Sequence, residues 1–282
     1  MVADVLLGFA AGLAIAVVTA PVGVSGAVFL LPVQLSVLHV PNPAVTPTNL
    51  LYNVIAGPGA LARYRKNGQL TGPLARRLLT GTIPGVIVGA TVRVLVLPGA
   101  RPFRIVAGVV LVMIGAWLLK RVLRPPSAIR PLTDRALLAL SFGVGVVGGI
   151  YGIGGGSILS PILAGSGLAV AVVAPAALAS TFITSIVGAL TYALLSLFVA
   201  GSIAPDWPIG IACGLGGLTG GYLGARLQPH LPERALSGTR WIRGRSRDLV
   251  PGPGHALIFT TLPARERAMS SAYRHQAGWA AV

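Results

Sequence analysis

The chain has 282 residues, 54% of them apolar and only 10% charged, and its formal net charge is +16. Soluble domains are about a quarter charged, so this composition excludes an ordinary soluble enzyme. The excess of Lys and Arg lies in short segments between apolar stretches or near the C-terminal end, and it is not interleaved with aromatic residues. That placement argues against a nucleic-acid partner and is typical of basic loops that flank membrane spans.

Two long stretches of the sequence are almost free of charge. Between Asp4 and Arg63 the only charged or imidazole side chain is His39, and between Arg135 and Asp206 there is none. Each stretch is long enough for two or three spans of about 20 residues. We therefore predict an all-α integral membrane protein with about seven transmembrane helices, embedded in the lipid bilayer.

The predicted elements divide the chain into four regions. In chain order, the predicted spans cover residues 5–39, 44–62, 73–96, 102–119, 136–169, 172–200 and 207–227, the first and fifth of them long and interrupted. These spans give a first membrane repeat (1–119, about four spans), a basic linker (120–135), a second membrane repeat (136–236, about three spans) and a tail rich in Arg, Gly and Pro (237–282). No stretch of the tail is long enough to cross a bilayer, and we expect it to be disordered.

A repeated pattern indicates two homologous halves. The glycine-rich segments at residues 22–26 and 151–155 are followed at the same interval by Pro32 and Pro161. The third span of each half carries glycines four residues apart, at Gly81, Gly85 and Gly89 and again at Gly216, Gly220 and Gly224. On a helix such glycines form a smooth face for close packing, and a duplication of this kind is typical of transporters.

The repeat predicts a last span after residue 236 that the sequence lacks. Either the tail has diverged or the reading frame changed near residue 237, and the sequence favours neither. The basic segments at 63–77 and 120–135 are expected in the cytoplasm. If each interrupted segment crosses once, the N-terminus is also cytoplasmic and the Arg-rich tail lies outside, against the same principle.

The two glycine-rich breaks are candidate anion sites. Glycines at bilayer depth unwind a helix, and the helix that resumes after the break presents free N–H groups and a positive dipole end. The residues predicted to form this backbone cradle are Gly23, Gly26, Gly152, Gly154, Gly155 and Gly156. The alternative is a close-packing bend without a ligand. A phosphate-binding P-loop is not indicated, since no Lys-Ser/Thr pair follows the glycines.

Uncharged polar side chains are the second part of the candidate site. They can bind an oxyanion without the full cost of burying an arginine. The candidates are Thr48, Asn49, Asn53, Ser180 and Thr181, with Asn49 and Asn53 one turn apart on a shared helix face. Hydroxyl groups that bond their own helix carbonyls are the alternative. No Asp or Glu lies in any predicted span, which argues against a proton relay or cation site; no catalytic residue, cofactor or metal ion is expected.

Together these motifs resemble the sulfite exporter TauE/SafE family of bacterial permeases. The resemblance covers about residues 5–236 and rests on the break that ends in Gly154-Gly155-Gly156, on Pro161, on the Ser/Thr-bearing second helix, on the basic linker and on the glycine-patterned third helix. It implies a multi-pass carrier of the bacterial cytoplasmic membrane, with about eight spans, for sulfite or another organosulfur or carboxylate oxyanion. The rival interpretations are a non-transporting membrane scaffold, a decayed permease and, less favoured, a membrane enzyme. A homo-oligomer is left open.

Overall fold

A computed structural model describes residues 2–69, 72–97, 133–166, 168–199 and 203–231, with isolated positions between 99 and 116. Within these ranges the regular structure is helical. The helices are α1 (Val2–Thr19), α2 (Ala27–Ser36), α3 (Val45–Lys66), α4 (Pro73–Leu95), α5 (Asp134–Tyr151), α6 (Gly156–Gly165), α7 (Val170–Leu195) and α8 (Trp207–Leu227), with 3₁₀ turns at Ala20–Val22 and Gln228–His230. Most of the predicted fourth span, nearly all of the linker and the whole tail lie outside the described residues.

Four of the described segments are long and apolar enough to cross a membrane: Val2–Val22, Pro73–Leu95, Asp134–Tyr151 and Val170–Leu195. The helices α3 and α8 have 22 and 21 residues but carry more polar side chains or glycine, and α2 and α6 have only 10 residues each. The all-helical membrane class is therefore confirmed for the described residues. The total of about seven spans and the two homologous halves stay predictions.

The helices α1, α3 and α8 run side by side in the same direction. Along α1 and α8 the contacts ascend together, because Gly216 lies against Phe9 and Gly224 lies against Val17. The close approach depends on glycine: a Cβ added at Gly220 would lie 2.3 Å from the carbonyl oxygen of Leu13. Helix α3 packs along α8 in the same way, with the glycines of α8 facing its side chains.

The helices α4, α5 and α7 form a second parallel group. Here Gly81 lies against Leu138 and Gly89 against Val146, so contacts again ascend along both α4 and α5. A Cβ at Gly85 would lie 2.3 Å from the Phe142 carbonyl oxygen. The predicted role of both glycine series in close helix packing is therefore confirmed. The glycines of α4 pack on α5 and those of α8 pack on α1, in each case a helix far away in the sequence.

At the first break the chain turns back instead of continuing across the membrane. Gly23 ends the 3₁₀ turn Ala20–Val22 in the left-handed region, with φ +74°, a conformation that glycine adopts without strain. Helix α2 then returns along α1: Leu38, after the end of α2, lies 3.8 Å from the Cβ position of Gly8. The predicted interruption is present, and it is a reversal.

The second break is also a reversal. Gly152 and Gly154 have φ values of +70° and +71°, and α6 starts at Gly156. Helix α6 then runs antiparallel to α7, since Gly154, just before α6, lies against Ser185, while Gly156 lies against Ala177, which is earlier in α7. Because α7 is parallel to α5, α6 also runs back relative to α5.

These reversals correct the expected topology. The Lys66 ammonium lies 5.9 Å from the ring of Tyr222, so α3 and α8 end at the same face. Helix α4 begins at Pro73, only seven residues after α3 ends, so it starts at that face too, and an ion pair of 3.2 Å between Arg77 and Asp134 brings the start of α5 to the start of α4. The condition of a single crossing per interrupted segment, from which a cytoplasmic N-terminus would follow, is not met, because each segment turns back at its glycines. The described chain therefore reaches residue 231 at the basic face that the positive-inside principle assigns to the cytoplasm.

Candidate anion site at the two helix breaks

A small cavity lies beside the first break. It has a volume of about 30 Å³, enough for roughly two water molecules. Its walls come from the end of α1, the break itself, and the facing sides of α3, α7 and α8. The polar residues in the walls are Thr19, Ser25, Tyr52, Asn53 and Thr181. None of the lining residues carries a carboxylate or a cationic group.

Glycines create the space for this cavity. Gly26 is the N-cap of α2, and a Cβ at this position would lie 2.2 Å from the Tyr52 hydroxyl oxygen. Gly217 on α8 faces the same ring, and a Cβ there would lie 2.6 Å from the Tyr52 Cε2 atom. Since α2 begins at this point, the positive end of its dipole borders the cavity.

The carbonyl groups of the first break are held by side chains from other elements. The Tyr64 hydroxyl donates to the Ala20 oxygen at 3.0 Å, and the Gln228 amide donates to the Pro21 oxygen at 2.8 Å. The Ser160 hydroxyl donates to the Val22 oxygen at 2.5 Å. Backbone groups that leave a helix inside a membrane need such partners, and these three bonds fix the shape of the break.

Two asparagine side chains of α3 link the first break to the second. Asn53 accepts a short hydrogen bond from the Ser25 hydroxyl and donates to the Gly152 carbonyl oxygen at 3.2 Å. Asn49 donates to the Ala27 oxygen at 3.0 Å and to the Tyr151 oxygen at 3.4 Å. The predicted shared face of the two asparagines is present, and its partners include the Tyr151 and Gly152 carbonyl groups at the end of α5.

The glycines of the second break are closely packed. The amide of Gly155 donates to the Thr184 hydroxyl at 3.1 Å. A Cβ at Gly152 would lie 2.3 Å from the Thr46 carbonyl oxygen, and one at Gly156 would lie 1.9 Å from that of Ala177. Both contacts are with backbone, which cannot move aside as a side chain can. In this state the second break leaves no room for a ligand beside these two glycines.

The predicted site residues are therefore divided among several surroundings. Gly26, Asn53 and Thr181 line the cavity. Gly23 faces Ser160 and Ala174, Asn49 bridges the breaks, and Gly152, Gly154, Gly155 and Gly156 pack within the second break. Thr48 donates to the Ala44 oxygen and accepts from the Asp206 amide, and Ser180 lies 3.2 Å from the Thr82 hydroxyl. Their role in binding stays a prediction.

Sequence reasoning missed three polar residues of the cavity, Thr19, Ser25 and Tyr52. It also missed a buried cation. Arg93, near the end of α4, is only 1% exposed, although the spans were expected to rely on neutral donors. A signal was available, because Arg93 follows Gly89 by the same four residues that separate the glycines of α4 and therefore shares their buried face.

Paired helix breaks and a polar, uncharged cavity between packed helices are features of membrane carriers. The family described as sulfite exporter TauE/SafE matches residues 8–240, most of the chain, and the protein belongs to this family. The predicted family is confirmed. Comparisons with curated proteins and with solved structures gave no match. Family membership makes the chain a multi-pass membrane protein of a permease and exporter class, not of a class of enzymes.

Proposed function

We propose that this protein carries a small oxyanion, such as sulfite or another organosulfur or carboxylate anion, across the cytoplasmic membrane of a bacterium. Transport would occur by alternating access between two homologous halves. The observation that carries the proposal is the cavity at the first break, whose polar lining consists of hydroxyl and amide groups without a carboxylate.

The lining groups suit an anion for electrostatic reasons. Hydroxyl groups of Thr19, Tyr52 and Thr181 can turn their protons toward a negative ligand, and the start of α2 adds a positive dipole end. A neutral site of this type binds an anion without holding a permanent charge in the membrane when empty. Thr19 supports this interpretation, because its buried hydroxyl has no hydrogen-bond partner among the described residues.

The residues that line the cavity lie on helices that would have to move relative to one another in alternating access. The walls include α3 and α8 from the first set of parallel helices and α7 from the second set, so movement of one set of helices against the other would change the volume of the cavity. Asn53 reaches from the cavity to the Gly152 carbonyl group, which would couple the two breaks during such a movement.

The test is flux of sulfite and of sulfoacetate into proteoliposomes that contain the full chain. We expect saturable uptake, reduced about tenfold by Thr181→Val, which removes a donor to the anion at nearly constant volume. Thr219→Val is the matched control: it changes an exposed threonine of α8 whose hydroxyl bonds only its own helix, at 3.2 and 2.9 Å.

Two results would contradict the proposal. If correctly inserted wild-type protein moves neither anion, the chain is not a carrier of this class, and the scaffold or decayed-permease interpretation is supported. If uptake is saturable but Thr181→Val and Thr219→Val behave alike, the protein transports but the cavity at the first break is not the binding site.

A further inference from the structure

Among the described residues, Arg93 is the one charged residue whose side chain is buried. Its guanidinium group forms short hydrogen bonds with the side-chain oxygen of Asn42 and the carbonyl oxygen of Leu97. One face of the group lies 4.3 Å from the centroid of the Phe103 ring. These contacts are neutral, and neutral contacts offset only part of the cost of removing a cation from water.

No described carboxylate supplies that anion. Of the three described carboxylates, Asp4 lies in the first turn of α1, Asp134 is paired with Arg77 at the opposite end of α4, and Asp206 caps the start of α8. Among the residues that the structure describes, no ion pair involves Arg93. Its Nε atom is buried and has no hydrogen-bond partner there.

A second unsatisfied donor lies against the same aromatic ring. Tyr151, the last residue of α5 before the second break, has its ring centroid 5.4 Å from that of Phe103. The tyrosine is 3% exposed, and its hydroxyl group has no hydrogen-bond partner among the described residues. A buried cation without a described counter-charge and a buried hydroxyl without a described acceptor therefore both belong to residues that contact the Phe103 ring.

We propose that Arg93 and Tyr151 form an oxyanion-binding site beside the second break, separate from the cavity at the first. This inference rests on the proposed function and names the residues that supply charge to it. A guanidinium group offers two parallel N–H donors to two oxygens of a carboxylate, sulfite or sulfonate, and the Tyr151 hydroxyl would donate to a third. Phe103 packs on the face of the guanidinium, so its N–H donors lie along the edge, where two of them now bond Asn42 and Leu97 and Nε has no partner among the described residues.

The described contacts of Arg93 can be exchanged for contacts with an anion. The neutral oxygens of Asn42 and Leu97 hold the guanidinium group, and an oxyanion would displace them because a guanidinium group bonds a charged acceptor more strongly than a neutral one. Arg93 lies at the end of α4 opposite the face of Arg77 and Lys66. The carrier would thus have two places for an anion. One has a charged group and lies toward the face opposite Arg77, and the other has neutral groups and lies at the first break.

The first test is the dependence of proteoliposome flux on sulfite concentration. Arg93→Lys keeps the charge but loses the paired donors, so the half-saturating concentration should rise about tenfold while the maximal rate changes by less than about threefold. Arg93→Gln should reduce flux by about a hundredfold or more, because the charge is gone. If Arg93 only stabilises the fold, the Lys variant should give less folded protein with an unchanged half-saturating concentration.

Tyr151→Phe gives a test that does not depend on the folding of the arginine variants. Since the hydroxyl makes no bond in the described structure, its removal should leave the melting temperature unchanged. The half-saturating concentration should rise about threefold to tenfold because a donor to the anion is lost. Tyr222→Phe is the matched control, since it makes the same change at the opposite face, where the ring lies 5.9 Å from the Lys66 ammonium. This variant should keep both the wild-type melting temperature and the wild-type half-saturating concentration.

The outcomes separate this inference from the proposed function. Saturable wild-type flux with normal half-saturation in both Arg93→Lys and Tyr151→Phe would overturn the Arg93 site and leave the carrier function standing. Absence of any wild-type flux would overturn the carrier function itself. A sulfite-dependent rise in melting temperature of the full chain that Arg93→Gln abolishes would support the site without relying on flux.

Discussion

The first and second breaks have similar sequences but different surroundings. Both contain a left-handed glycine and lead into a short helix, α2 or α6. At the first, Gly23 packs on the backbone of α7, but Gly26 faces the Tyr52 ring and lines a cavity. At the second, Gly152 meets the backbone of α3 and Gly156 meets that of α7. A glycine motif therefore permits close approach of another segment, and the residues opposite decide whether a cavity or a packed contact results.

The largest effect is expected from a substitution that pushes the packed second break apart. In Gly156→Ala the added Cβ would lie 1.9 Å from the Ala177 carbonyl oxygen, so α6 and α7 must separate. We expect a loss of about 3 kcal/mol of stability or more, seen as a lower melting temperature and a lower yield in detergent. Gly143→Ala is the control, because its Cβ would meet no atom within 4 Å. Equal behaviour of the two variants would contradict the packed state of the second break.

An intermediate effect is expected where the two breaks are joined. Asn53→Leu keeps the size of the side chain but removes the donor to Gly152 and the acceptor for Ser25. Leaving these buried groups without partners should cost about 2–4 kcal/mol, measured by thermal melting with and without sulfite. A variant as stable as the wild type would mean that the breaks are not coupled through this amide.

The smallest effect is expected from a hydroxyl that has no bond to lose. Ser185 is fully buried beside Gly154, and its oxygen has no hydrogen-bond partner among the described residues. Ser185→Ala should therefore change stability by less than about 0.5 kcal/mol in the same melting assay. A clear destabilisation would show that the hydroxyl is bound in the membrane, by water or by an anion, and that the second break is less closed than its packing indicates.

Local features of the fold were predictable from the sequence. The four-residue spacing in α4 and α8 predicted close helix packing, and the glycines at 23 and 152 predicted the two interruptions, because both depend on the residue itself and on helical periodicity. The reversals were not predictable in this way. The contact between Leu38 and Gly8 joins residues far apart in sequence, and a glycine permits a turn without setting its direction.

The candidate site was predictable only in its residue types. Asn49 and Asn53 were correctly placed on one buried face, but their partners, the carbonyl groups of Tyr151 and Gly152, come from another part of the chain. Arg93 was missed because charge was expected only at span boundaries, although its register with the glycines of α4 placed it on the buried face. The buried face of a helix follows from the spacing of residues along that helix, whereas a hydrogen-bond partner on a distant helix does not follow from local sequence.

Because α1 packs against α8, the helix that the ribosome makes first pairs with the one that it makes last among the described helices. The contact faces are separated by roughly 200 residues, or roughly 10–40 seconds of synthesis at ~5–20 residues per second. During that time lipid or the insertion machinery must cover the surface of α1 that later receives Gly216, Gly220 and Gly224. Among the described helices, the first to be made is thus the one whose partner is made last, and a nascent chain released before Trp207 would leave α1 without α8.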